Sequence, residues 1–214
     1  MIQARERLAG FDARELWLDP SVLWTSARKD SFLYRLDVNR PMSVDPRVWP
    51  SVFDADGRIY PPERFGYQSL WADLEALRRA LSVRLKVHPN QAFRAIAVTL
   101  LLGDYCATDK IDWDSRIPTP FPDLPTENSA WPLLGYDVGD QWMLSALSNC
   151  GFIPEYDDVA ALRGRWGPVL NEHHLFDDLG QAIEFKQMSD IRLQEDHAPC
   201  FIFGIRSVPL RFDS

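Results

Sequence analysis

The clearest periodicity in the chain begins at Ser69, where Leu70, Leu74, Leu77, Leu81 and Leu85 recur at helical spacing and line one face of a helix. The opposite face carries Glu75, Arg78, Arg79, Arg84 and Lys86, with Glu75 set four residues before Arg79 for a supporting ion pair. Pro89-Asn90 closes that helix. Phe93, Ile96, Ala97, Leu100 and Leu101 then fall at the spacing of a second helix, and Val98 and Leu102 make it apolar almost all round, so the pattern predicts a buried helix at the centre of the core.

Before this pair, Pro20, Pro41, Pro46, Pro50, Pro61 and Pro62 interrupt short apolar runs such as Leu16-Trp17-Leu18. Proline at that density suits extended segments and turns. The clearer strand is expected over residues 31–38, and Asp54-Ala55-Asp56-Gly57 followed by Arg58-Ile59-Tyr60 suits the turn of a hairpin. After the pair, Pro118, Pro120, Pro122, Pro125 and Pro132 stand among acidic residues, which predicts a long extended crossing over residues 108–132. Trp113, Phe121 and Trp131 would pin it to the body, so the expected organisation is one domain over residues 1–214, with this crossing as the only candidate subdivision.

The last third reads as three helices and a strand. Asp137 is placed to cap a helix over residues 138–149, with Trp142, Met143 and Leu147 inward and Gly151 as its stop. A second helix is expected over residues 156–165, ended by Gly167-Pro168, and a third opens at Asp177 or Asp178 and runs to about residue 193. Cys200-Phe201-Ile202-Phe203-Gly204-Ile205 is a continuous apolar run that reads as a buried strand. The fold class that follows is α+β: a proline-rich extended N-terminal part, a central helix pair, and a helical C-terminal part ending in a buried strand.

Charge changes this picture most. The formal net charge of −8 is uneven: residues 1–100 hold 15 Lys and Arg against 12 Asp and Glu, whereas residues 101–214 hold 8 against 19. An acidic balance argues against gripping nucleic acid through its phosphates and fits either a solvated acidic surface that serves solubility or a docking face for a basic partner. Three cysteines, Cys106, Cys150 and Cys200, lie far apart and are odd in number, so a reducing compartment is expected instead of a disulfide framework. The longest apolar run, residues 95–102, is far short of the roughly 20 residues a bilayer needs, and the charged start of the chain shows no secretory signal, so a cytoplasmic location without membrane contact is expected.

Motifs for phosphate loops, dinucleotides, zinc proteases and redox dithiols are absent, and no cofactor is implied. His173-His174 beside Glu172, with Asp177 and Asp178 near, has metal-ligand residue types, but adjacent side chains diverge and no metal site is expected. Gly135-Tyr136-Asp137-Val138-Gly139 places glycines around an aspartate as a nucleophile elbow would, and Cys150 stands at a predicted helix end. These two residues define the enzyme alternative, a small hydrolase with an Asp or Cys nucleophile.

Leu134-Gly135-Tyr136-Asp137-Val138, Leu144-Ser145-Ala146-Leu147-Ser148-Asn149-Cys150-Gly151-Phe152 and Leu170-Asn171-Glu172-His173-His174-Leu175-Phe176, about a third of the chain together, resemble segments of small bacterial immunity proteins against polymorphic toxins, including toxins delivered by type VI secretion. The resemblance implies a non-enzymatic protein that binds a cognate toxin and blocks it. The charge pattern places the expected binding residues at predicted helix starts of the second half: Asp137, Asp140, Asp157, Asp158, Glu172, Asp177 and Asp178, with Tyr136 and Tyr156 as aromatic anchors.

Overall fold

A computed structural model describes residues 5–16, 42–45, 49–53, 70–102, 131–140, 142–148, 152, 156–193 and 197–210. Four strands form one antiparallel sheet: β1 (Arg5–Glu15), β2 (Phe93–Leu102), β3 (Leu133–Gly139) and β4 (Phe201–Ser207), in the order β1-β2-β4-β3. Among the described residues three α-helices accompany it, α1 (Leu74–Val87), α2 (Val159–Trp166) and α3 (Leu179–Arg192), giving the α+β class expected from the sequence.

Residues opposite one another in the register share a face, which sorts the core into two layers. Phe11 and Ala13 of β1 face the same way as Ala97 and Ala95 of β2, and α1 covers them with Ala76, Leu77 and Leu81. Leu101, Val138 and Ile202 lie on that same face under α2 and α3, where Trp166, Phe176 and Phe185 stack edge to face or tilted at 5.1–6.1 Å. Each fully buried leucine such as Leu77 contributes roughly 2 kcal/mol of hydrophobic stabilisation. The other face, with Ile96, Val98, Leu100, Phe203 and Ile205, is packed by irregular chain instead: Met42, Val44, Trp49, Leu70, Met143 and Leu175.

The helix expected over residues 93–102 is therefore strand β2. It pairs with β1 on one side and β4 on the other, and both its faces are buried, so it is apolar on every side without being helical. The helix expected over residues 138–149 is also replaced: β3 runs through Asp137 to Gly139, and only a 3₁₀ turn, Ala146–Ser148, follows. Asp137 is thus a mid-strand residue and caps nothing. Helix α1 starts at its N-cap Asp73, which accepts from Ala76 N at 2.7 Å, and its Glu75 pairs with Arg78, three residues on. The helices expected over residues 156–165 and from Asp177 or Asp178 to about 193 are α2 and α3, and the expected final strand is β4. The strand expected at 31–38, the hairpin turn at 54–57 and residues 108–130 of the crossing lie outside the described residues; Trp131 stacks edge-on against Phe11 at 5.7 Å.

The proline-rich first part suits one or two strands, but no pattern places one at residues 5–15, where β1 lies. Its charges hid it: Asp12 and Arg14 point to the irregular-chain face, where they pair at 3.1 Å and are almost fully buried, with Arg14 donating to the Trp49 carbonyl and Asp12 accepting from Ser51 Oγ at 2.7 Å.

Candidate functional site

The expected binding residues separate into an inner set and two outer sets. Asp137 has no exposed surface. Its Oδ2 accepts from Ser43 Oγ at 2.6 Å and Val44 N at 3.0 Å, and its Oδ1 from Ser145 Oγ and Val138 N, each at 2.8 Å. Burial is the main influence on this carboxyl and pushes its pKa up to about 6, against the four hydrogen bonds that lower it. Its role is to join the 42–45 segment and the 3₁₀ turn to β3. Ser148 Oγ completes the network by donating to Asp45 Oδ2 at 2.6 Å.

Asp140 is 2% exposed and also works inward. Its Oδ1 accepts from Trp142 N and Leu144 N at 2.8 and 2.9 Å, closing the turn after β3, while Oδ2 lies 2.7 Å from His197 Nδ1. Neither aspartate is available to a partner. Tyr136, half-buried, packs against the cluster beneath α2 and α3 and is not an exposed anchor.

The first outer set sits where α2 begins. Tyr156 is 50% exposed, and Asp157 and Asp158 beside it face solvent. Arg192, at the end of α3, pairs with Asp158 through two bonds of 2.6 and 2.8 Å, and its guanidinium lies 5.4 Å from the Tyr156 ring. The arginine holds the Asp158 carboxyl below its ordinary pKa. The second outer set, Glu172, Asp177 and Asp178, sits at the opposite end of the 14-residue α3, about 21 Å away along its axis. Asp178 is the helix N-cap, accepting from Gln181 N at 2.9 Å, as its sequence position suggested.

Around this second set the chain builds a groove of about 450 Å³, lined by Leu133, Leu134, Asn171, Glu172, His173 and Asp177. Asn171 is its keystone: Nδ2 donates to Leu134 O at 2.8 Å and Asp177 Oδ1 at 2.6 Å, and Oδ1 accepts from His173 N and Leu175 N. The turn then bonds to β3 through Tyr136 N to Phe176 O and the reciprocal bond, at 2.8 and 2.9 Å. Gly135 permits the close approach, because with φ +144° a Cβ there would stand 2.5 Å from Leu175 Cβ. No residue pattern near Asn171 announced this arrangement; the nearest signal was the cluster of polar types from 171 to 178.

His173 and His174 are half-buried in that turn, and desolvation lowers the pKa of both. Among the described residues no group of three His, Cys, Asp or Glu side chains is placed to hold a metal ion, and no helix is long and apolar enough to cross a membrane. The elbow geometry suggested for Asp137 is not present, since the residue lies within β3 and not on a strand-to-helix turn. Cys200 is buried and its thiol pKa is raised by desolvation first and the neighbouring Asp190 second, so it is a poor nucleophile; Cys150 lies outside the described residues. Nothing in spacing links positions 140 and 197, so sequence reasoning misses the His197–Asp140 pair; the buried Lys186–Asp190 pair, 2.6 Å, has the i,i+4 spacing of a helix pair, and that spacing is the signal that could have found it. Comparison with protein-family models, with curated proteins and with solved structures finds no match to the chain.

Proposed function

We propose that this protein is a non-enzymatic, cytoplasmic immunity protein that binds a cognate bacterial toxin, or another basic protein of that kind, and neutralises it through a partly acidic surface. The observation that carries the reading is the outward placement of Asp157 and Asp158 at one end of α3 and of Glu172, Asp177 and Asp178 at the other, in a half-chain with 19 acidic against 8 basic residues. Such a surface speeds encounter with a cationic partner and rejects anionic ones. Tyr156 supplies an aromatic contact beside Asp157 and Asp158. The resemblance of the 134–138, 144–152 and 170–176 segments to immunity proteins points the same way.

The non-enzymatic part of the reading draws support from Asp137. An aspartyl nucleophile has to reach its substrate, and this one is enclosed with both oxygens bonded. The test is to express the product of the adjacent reading frame with and without this protein. Rescue of growth, together with a stable complex of the two purified proteins, is the expected result; toxicity that persists at full expression of this protein refutes the proposal.

A further inference from the structure

We propose that the groove between the start of β3 and the 171–177 turn is a receptor for a single arginine or lysine side chain of the basic partner. The inference rests on the binding function proposed above and assigns the point of contact. Leu133 and Leu134 give the groove an apolar wall, along which the aliphatic stem of a long cationic side chain can lie. Glu172, whose side chain is 86% exposed, and Asp177 stand where the charged head would emerge. Chemistry of both kinds in one opening suits a guanidinium or ammonium group better than a purely apolar or an anionic one.

Two further observations favour this groove over the acidic end of α2. At that other end the protein already supplies its own cation: Arg192 is bonded to Asp158 and lies against Tyr156 and Phe152. An incoming arginine there would have to displace an intramolecular one. At the groove, among the described residues, no lysine or arginine forms an ion pair with Glu172, Asp177 or Asp178; the nearest basic group is His173, whose Nε2 lies 3.8 Å from Glu172 Oε1 and which desolvation keeps toward its neutral form. The groove is also preorganised. Asn171 fixes Asp177 and the turn backbone, and the paired bonds of Tyr136 with Phe176 fix the turn to the sheet, so little ordering remains to be done on binding.

The probe for a test is the blocked tripeptide Gly-Arg-Gly, with Gly-citrulline-Gly as its uncharged counterpart, followed by amide chemical shifts of the full chain. Saturable shifts are expected at Leu134, Glu172, His173 and Asp177, weakened about tenfold by citrulline and by Glu172→Gln with Asp177→Asn. The paired variant Glu75→Gln with Glu184→Gln removes the same number of charges elsewhere and is expected to bind as wild type does. Shifts spread evenly over all exposed carboxylates, or equal weakening by both double variants, overturn the proposal. With the toxin in hand, a Glu172→Lys, Asp177→Lys variant that still neutralises it refutes the groove while leaving the immunity function standing. Groove shifts with arginine but no neutralisation by the wild-type protein refute the immunity function and leave the cation receptor standing.

Discussion

Asp137 and Asp158 carry the same side chain into opposite environments, and their expected responses to substitution diverge accordingly. The Asp137 carboxyl has a pKa of about 6 in the folded protein against an ordinary 3.8, so its protonated form favours folding. That contribution is complete below about pH 4 and is lost as the pH rises through 6, amounting to roughly 3 kcal/mol across the window. His173 and His174, whose pKa values are lowered, act in the opposite sense, so the difference between Asp137→Asn and wild type isolates the aspartate. Urea midpoints measured from pH 4 to pH 7.5 are expected to fall less steeply with pH in the variant; parallel curves would refute the assignment. Asp140→Lys should cost about 3–5 kcal/mol, because it leaves His197 and two turn amides facing a buried ammonium. Asp158→Lys, at an exposed pair, should leave the melting temperature nearly unchanged while altering any salt-dependent association. Before the fold is known these aspartates look alike; Asp137 is enclosed because it lies within β3, Asp140 because it closes the turn after that strand, and Asp158 is exposed because it precedes α2.

At the scale of elements, legibility followed how many faces each element buries. Helix α1 buries one stripe, on which Leu77 and Leu81 of the leucine repeat lie; Leu70 stands before the helix and packs on the other face of the sheet, and Arg84, expected on the polar face, is buried. The start of helix α3 is legible at Asp177 or Asp178 because an N-cap is local in sequence, and the structure selects Asp178. Strand β2 buries both faces, so its side chains satisfied the helical template as well as the extended one; its length of 10 residues removed the usual means of telling them apart. Strand β3 was concealed by Pro132 before it and by Asp137 within it, and β1 by Asp12 and Arg14, although Phe11 and Ala13 do alternate with those charges at the strand period. The groove was invisible for a related reason, since its wall comes from β3 and its rim from a turn 37 residues on from Leu134. Its integrity depends on Gly135. Gly135→Ala should destabilise the fold by about 1–3 kcal/mol through a strained φ and the clash with Leu175, and should abolish the arginine-induced shifts while α1 amides stay put. Asp178→Ala removes only a cap and should cost about 1 kcal/mol, read from the denaturation midpoint.

Across the whole molecule, the acidic second half sets how association should respond to ionic strength. Complex formation with the proposed basic partner is expected to slow as salt rises from about 0.05 to 0.5 M, mainly in the association rate, as the screening length shrinks. Stopped-flow mixing over a salt series checks this, and a flat dependence would exclude electrostatic steering. The turn that bears Glu172 and Asp177 has one more effect, which concerns the exposed side of β3. That strand is the last in the sheet, and its free backbone is taken up by the Leu134–Asn171, Tyr136–Phe176 and Gly139–Ser145 contacts. Leu175 packs on one face of the sheet and Phe176 on the other, so the turn hooks around the strand like a hem. A foreign segment therefore finds no row of amides there to template on, which guards the protein against stacking with its own copies. It also means that whatever docks beside β3 must be recognised through side chains, not by extension of the sheet.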